Sequence, residues 1–145
     1  MRAVIQRVKN ANVKVNDKII GEIDSGLLVL LAVHINDNAS VAGKMADKII
    51  NLRIFEDDNQ KMNLSIKDVE GEVLIISQFT LYGDCSHGNR PGFTESAQPD
   101  KAIPIYEEFI KCLKEQGIKT KTGKFGAMME VGLINNGPVT IILDI

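Results

Sequence analysis

Met128-Met129-Glu130-Val131-Gly132-Leu133-Ile134-Asn135-Asn136-Gly137-Pro138-Val139-Thr140-Ile141-Ile142-Leu143-Asp144-Ile145 is a pair of apolar runs with a Gly-Pro step between them. Met128 to Ile134 reads as one strand and Val139 to Ile145 as a second. A proline between paired strands removes a ladder donor, so Pro138 belongs at a turn or a bulge. Asn136-Gly137 is a common hairpin signal, and an ordinary hairpin turn is the simpler reading. The other reading is functional. The tertiary amide before Pro138 makes a cis bond accessible, and a cis step would swing the carbonyl oxygens of Gly137 and Pro138 toward one side. Rigid backbone acceptors aimed outward recognise a ligand without a reactive side chain. The segment alone leaves both readings open.

Working outward, Gly71-Glu72-Val73-Leu74-Ile75-Ile76-Ser77-Gln78-Phe79-Thr80-Leu81-Tyr82-Gly83 opens and closes on turn glycines. Val73 to Ile76 is apolar on both faces, as in a strand buried on both sides. If the strand runs on to Leu81, Gln78, Thr80 and Tyr82 share one face, and Ser77, Phe79 and Leu81 the other. Buried polar groups need partners, at a penalty of roughly 1–3 kcal/mol each if left unpaired. The polar end of this strand therefore either bonds neighbouring backbone or lines a pocket.

Ser77-Gln78-Phe79-Thr80-Leu81 and Asn135-x-Gly137-Pro138-x-Thr140 together resemble the two signature motifs of the D-aminoacyl-tRNA deacylases. The opening Met1-Arg2-Ala3-Val4-Ile5-Gln6-Arg7-Val8 is similar to the family start. Gly26 to Leu31, Arg53-Ile54-Phe55, Lys61-Met62-Asn63-Leu64, Arg90-Pro91 and Thr122-Gly123-Lys124-Phe125 carry the resemblance through the chain in order. It implies hydrolysis of D-aminoacyl-tRNA and of glycyl-tRNA, on a β/β/α layered roll that forms a homodimer.

The composition agrees with a single domain over residues 1–145. At 44% hydrophobic and 25% charged it is ordinary for a globular chain. Two cysteines, Cys85 and Cys112, are too few for a disulfide scaffold, and both read as reduced thiols of a cytoplasmic protein. No leader pattern opens the chain, and the apolar run from Gly26 to Val33 is too short to span a bilayer, so no membrane association is expected. A net charge of −2 argues against broad electrostatic binding of nucleic acid. Gripping the 3′ end of aminoacyl-tRNA through local contacts remains compatible with it. Larger relatives tied to DNA replication carry a C-terminal extension; this sequence ends at Ile145, and DNA is not an expected partner. Lys119, Lys121 and Lys124 read either as phosphate contacts or, more simply, as a solvated edge strand.

Ala3 to Val8 alternates as a strand. Val13 to Val15 and Ile19 to Ile23 flank Asn16-Asp17, a two-residue hairpin. Leu27 to Val33 is a central strand. Ala39 to Leu52 places Val41, Met45, Ile49 and Leu52 on one helical stripe, capped by Asp37 or Asn38. Asp57 to Gln60 is a turn, and Asp84 to Ala97 a long polar loop. A second helix buries Ala102, Tyr106, Phe109 and Leu113 and stops at Gly117; Pro104 predicts a later start or a bend. Many strands and two main helices give an α+β fold of mostly antiparallel strands.

No nucleophile elbow or paired-histidine metal motif is present. Cys85 and His87 are too few ligands for zinc, and their i,i+2 spacing in a loop defines no thiol–imidazole pair, so no metal and no cofactor is expected. The family resemblance places the catalytic site at Ser77, Gln78, Phe79 and Thr80. Thr80 lacks a base, so it reads as shaping the pocket and hydrogen bonding rather than as a covalent nucleophile. The resemblance also implies that the cis Gly137-Pro138 step enters the partner's site and rejects L-aminoacyl-tRNA, with Asn135, Thr140 and Arg7 supporting it and the substrate's 2′-hydroxyl assisting. Many relatives are alanine-rich after Leu81, where this chain has Tyr82, which would narrow or extend the pocket. The rival reading is a non-catalytic, dimeric RNA-end or nucleotide-binding module that stacks bases on Phe79 and Phe93.

Overall fold

One strand organises the sheet in the computed structural model, which describes all 145 residues. β1 (Arg2–Val15) pairs antiparallel with β3 (Gly26–Ala32) through its first half and with β2 (Lys18–Ile23) through its second. On its other edge it pairs antiparallel with β8 (Glu130–Asp144). β6 (Glu72–Ser77) lies parallel to β3, and β7 (Lys119–Thr122) parallel to β6. The sheet curls until β2 meets β7: a Cβ added at Gly21 would lie 3.0 Å from the Thr122 carbonyl oxygen. The β1–β2 turn is the expected one, with Asn16 and Asp17 at φ 50° and 61°, as a two-residue primed turn requires.

The residues alternate between two apolar clusters, which explains the unbroken hydrophobic runs. Leu27, Val29 and Leu31 of β3 and Val73 and Ile75 of β6 face the larger cluster, under the helices. Leu28, Leu74 and Ile76 face a smaller one on the inside of the curl, with Val8, Ala11, Val13 and Ile23. Both central strands are therefore buried on both faces. A short hairpin of β4 (Phe55–Glu56) and β5 (Met62–Leu64) turns around Asp57, whose carboxylate accepts from Asn63 Nδ2 (2.7 Å) and from the amides of Asn59 and Lys61. Those bonds, the Asn63 one foremost, hold the Asp57 carboxyl below its ordinary pKa.

α1 (Ala39–Ile50) is capped by Asn38, whose side chain accepts from the Ser40 amide at 3.0 Å. Its buried stripe is Ala42, Met45, Ala46, Ile49 and Ile50; of the other two residues expected on it, Val41 is only half-buried and Leu52, also half-buried, lies beyond the helix end. α2 (Pro99–Glu115) buries Ala102, Ile105, Tyr106, Phe109 and Leu113. Pro99 opens it at the first turn, where a missing N–H costs nothing, and the helix carries Pro104 through rather than starting after it. It closes with Gly117 N–H to Lys114 O (2.9 Å) and Ile118 N–H to Leu113 O (3.1 Å), a Schellman motif.

Two strand expectations are corrected. β6 ends at Ser77, and Phe79–Tyr82 is a 3-10 turn, so strand alternation does not extend to Leu81. The hairpin expected at Asn136-Gly137 does not form either: β8 is a single strand, paired to β1 on both sides of the Gly-Pro step. Gln6 is opposite Thr140 and Val8 opposite Asn135, so Asn136 to Val139 bulge out against the single residue Arg7. The physical reason is β1 itself. It is long enough to pair with the whole of β8, so the proline is absorbed as a bulge and the chain does not reverse.

Candidate active site

The parallel strands β3, β6 and β7 point the same way, and a cavity of about 670 Å³ opens at their carboxyl ends. That is the size of a small-ligand site. Its walls are Leu31 to Val33 at the end of β3, Ile76 to Thr80 at the end of β6, and Phe125 to Met129 after β7. The start of α2, with Pro99, Ala102 and Tyr106, closes one side.

Ser77, Gln78, Phe79 and Thr80 all line this cavity. The Gln78 amide bonds Leu31 O at 2.8 Å, the last sheet-like contact, after which the chain tightens into the 3-10 turn. The turn closes through Leu81 N–H to Gln78 O (3.2 Å) and Gly83 N–H to Thr80 O (2.9 Å). The first amides of such a turn, those of Phe79 and Thr80, have no acceptor within it. The Gln78 side-chain amide donates to the Thr80 hydroxyl. Phe79 is exposed and meets Phe93 edge-on, with ring centroids 5.0 Å apart. No carboxylate, imidazole, thiol, amine or guanidinium is among the lining residues. The one titratable group there is Tyr106, which donates to Ile75 O at 3.1 Å and whose burial raises its pKa, so it stays neutral.

The second motif lies elsewhere on the chain. The Gly137-Pro138 bond is cis, both residues are exposed, and neither lines the cavity. The bulge is held from beneath. Arg7, only 5% exposed, donates to Asn136 O (3.1 Å) and Ile54 O (2.7 Å) and pairs with Glu56 (3.3 Å). Asn135 spans the bulge: its Oδ1 accepts from the Val139 amide at 2.9 Å, and its Nδ2 donates to Thr140 Oγ1 at 3.2 Å. Gln6 Nε2 donates to the same hydroxyl at 3.2 Å. Gly137 sits at φ 128°, and a Cβ there would meet Arg7 Nη2 at 2.8 Å.

The predicted site residues thus fall into two groups. Ser77, Gln78, Phe79 and Thr80 share the cavity, while Arg7, Asn135, Gly137, Pro138 and Thr140 form the bulge. Tyr82 does not face the cavity, contrary to the strand-based expectation; the turn rotates it onto Arg2 and His34, where burial raises its pKa to about 12. Cys85 and His87 are both exposed in the 84–97 loop, and no three metal-ligating side chains are grouped anywhere in the chain. Sequence reasoning missed Tyr106 and Met129 as cavity walls, having read the first as core and the second as strand. Phe125 had a signal, in the Thr122-Gly123-Lys124-Phe125 stretch, but no role was attached to it.

Comparison with known proteins bears on this geometry. The family described as D-Tyr-tRNA(Tyr) deacylase matches residues 4–144. A protein of Thermosipho africanus (strain TCF52B) named D-aminoacyl-tRNA deacylase is 59% identical over 144 residues, covering 99% of this chain and 97% of its own length. Its namesake in Clostridioides difficile (strain 630) is 56% identical over 144 residues, with 99% and 97% covered. Among solved structures, one titled "c-Myc DNA Unwinding Element Binding Protein" is 39% identical with a TM-score of 0.93, covering 99% of this chain and 98% of that one. Another, titled as a probable eukaryotic D-amino acid tRNA deacylase, is 18% identical with a TM-score of 0.86 over the same shares, a likeness of fold.

Proposed function

The chain belongs to the D-Tyr-tRNA(Tyr) deacylase family, and on that premise we propose that it hydrolyses the ester of D-aminoacyl-tRNA, releasing free tRNA and the D-amino acid. The observation that carries the mechanism is the cavity at Ser77 to Thr80, which is lined by neutral polar groups and holds no side-chain base. Water adds to the ester carbonyl carbon, and the amides of Phe79 and Thr80 hold the developing oxyanion. The bond to the ribose oxygen then breaks, and that oxygen leaves with a proton. The neighbouring 2′-hydroxyl of the substrate assists the proton movement that no residue of the cavity supplies. Holding ester and water in line supplies much of the remaining barrier reduction. Thr80, accepting from Gln78, shapes the site and does not attack.

Chiral selection falls to the bulge of a partner subunit. Gly137 and Pro138 are exposed and lie off the cavity of their own chain, and Ile134 and Ile142 beside them on β8 are apolar yet exposed. A homodimer covers this face and brings the carbonyls of Gly137 and Pro138 to the partner's substrate. There they accept from its ammonium group and occupy the space that an L side chain requires. Glycine has no side chain to exclude, so glycyl-tRNA is also hydrolysed. An aminoacyl-tRNA substrate supports a cytoplasmic location.

The test is deacylation of matched D-, L- and glycyl-tRNA with a chelator present, together with a D-aminoacyl-tRNA ending in 2′-deoxyadenosine. Turnover of the D and glycyl forms, none of the L form, and a large loss with the 2′-deoxy end support the mechanism. Binding without turnover on any substrate overturns it in favour of an end-binding module, for which Phe79, exposed beside Phe93, is the stacking surface.

A further inference from the structure

The 3-10 turn Phe79–Tyr82 carries two residues of the candidate site yet contributes no buried side chain to the core. Leaving β6 at Ser77, it has no ladder partner, and its backbone bonds are few. Arg2, on the first residue of β1, reaches it through two contacts. Its Nη1 donates to Leu81 O at 3.0 Å, and its guanidinium lies over the Tyr82 ring, 4.9 Å from the centroid. The opposite edge of the same guanidinium is fixed by Asp144 of β8, which accepts from Nε at 2.7 Å. Asp144 is the register partner of Arg2 in the ladder, so this fork is aimed by the sheet itself. His34 meets the Tyr82 ring edge-on at 5.1 Å and completes the packing around that ring.

We propose that Arg2 is a positioning residue for the deacylation reaction, clamping the 3-10 turn so that the Phe79 and Thr80 amides keep their place in the cavity; the inference rests on the functional reading above. Leu81 directly follows Thr80, so a shift at the Leu81 carbonyl reaches the Thr80 amide across a single intervening peptide. A misplacement of about 1 Å at such a site costs on the order of a hundredfold in rate. The clamp contributes little to global stability. Arg2 and Asp144 are both substantially exposed, and exposed ion pairs are weak. Lysine does not replace it: one ammonium cannot bond Asp144, donate to Leu81 and cover the ring together.

The experiment compares Arg2→Met, Arg2→Lys and Tyr82→Phe with the unaltered protein, reading single-turnover deacylation, KM, thermal unfolding and amide hydrogen exchange. Arg2→Met is expected to lower kcat by about tenfold or more, with KM within about twofold. Arg2→Lys is expected to do the same despite keeping its charge, and Tyr82→Phe, which keeps the ring, to retain kcat. Tm is expected to move by no more than about 3 °C. Exchange at the Leu81 and Gly83 amides, which close the turn, is expected to quicken in both arginine variants. Full kcat in Arg2→Lys overturns the clamp in favour of simple charge. A raised KM at constant kcat overturns it in favour of substrate contact, and a Tm drop beyond about 8 °C in favour of a fold role. If the unaltered protein turns over no D-aminoacyl-tRNA, the functional reading fails. Exchange at Leu81 and Gly83 then decides the clamp on its own, with unchanged exchange overturning it.

Discussion

The turn at Ser77 to Tyr82 and the bulge at Asn135 to Thr140 are both departures from regular strand, but they differ in what they present and in what holds them. Ser77 to Thr80 line a cavity with their side chains, and the Phe79 and Thr80 amides find no acceptor within the turn. The bulge faces outward, and what it exposes is a Gly-Pro backbone. The turn is tied by a few bonds at its ends, whereas the bulge is held from below by Arg7, Asn135 and Gln6. Under the proposed function the bulge selects by excluding and must not yield, which its supports suit, while the turn contacts a reacting ester and relies on accurate placement.

The sharpest way to break that contrast is to remove the support of the bulge. Arg7→Ala leaves the buried carbonyl of Ile54 and that of Asn136 without their donor. We expect a loss of about 3 kcal/mol in urea unfolding, at roughly 1–3 kcal/mol per unpaired group, together with hydrolysis of L substrates. A variant as stable and as selective as the unaltered protein would show that the bulge holds itself. Gly137→Ala should follow the same course. Its Cβ would approach Arg7 Nη2 at 2.8 Å and Val139 Cγ2 at 2.9 Å, at a positive φ, so a stability loss of about 1–3 kcal/mol accompanies the loss of selectivity.

On the turn the expected effects are on rate and not on fold. Thr80→Tyr crowds the cavity at the turn and should lower kcat by about a hundredfold or more. Thr80→Ala should keep it within about tenfold, since the hydroxyl has an amide donor and no base. Complete loss in the alanine variant with a trapped acyl-enzyme would reverse the assignment. A smaller test is the pH profile of kcat. With Tyr106 pushed upward by burial and no other titratable side chain in the cavity, no inflection from a protein side chain is expected between roughly pH 6 and 9, and the one limb expected there is that of the substrate's own α-amino group, which a substrate acylated on that nitrogen would lack. A limb near pH 6.5 would point to a histidine. Smallest of all, Cys85→Ala and His87→Ala should each leave kcat within about twofold, their side chains being exposed and off the cavity. A hundredfold drop in either would restore a thiol or metal mechanism.

Most of the fold was legible because its signals are local. Asn16-Asp17, the Asn38 cap and the apolar faces of both helices state their structure within a few residues. What failed depends on distant pairing. Nothing within Asn135 to Thr140 reveals that β1 is long enough to pair on both sides of Pro138, so an Asn-Gly signal reads as a reversal. Strand alternation likewise cannot foresee that β6 stops at Ser77, which is why Tyr82 was assigned to the wrong face. The two groups of site residues, and the placing of Gly137-Pro138 away from the cavity of its own chain, came from motif resemblance and from no local signal of the residues themselves. What Gly137 packs against was not legible in the sequence: the nearby Arg7 guanidinium and the positive φ come from the fold.

A cavity whose only titratable side chain is a buried, hydrogen-bonded tyrosine is also silent to most of the reagents used to find enzymes. Iodoacetamide needs a thiolate, fluorophosphonates an activated hydroxyl, activated esters an amine and carbodiimides a carboxylate; none lines this pocket. Such a protein would escape activity-based profiling while fully active. Its inhibitors must succeed by shape and by occupying backbone donors, with no covalent warhead to hold them, and screens should read displacement of a bound ligand in place of labelling.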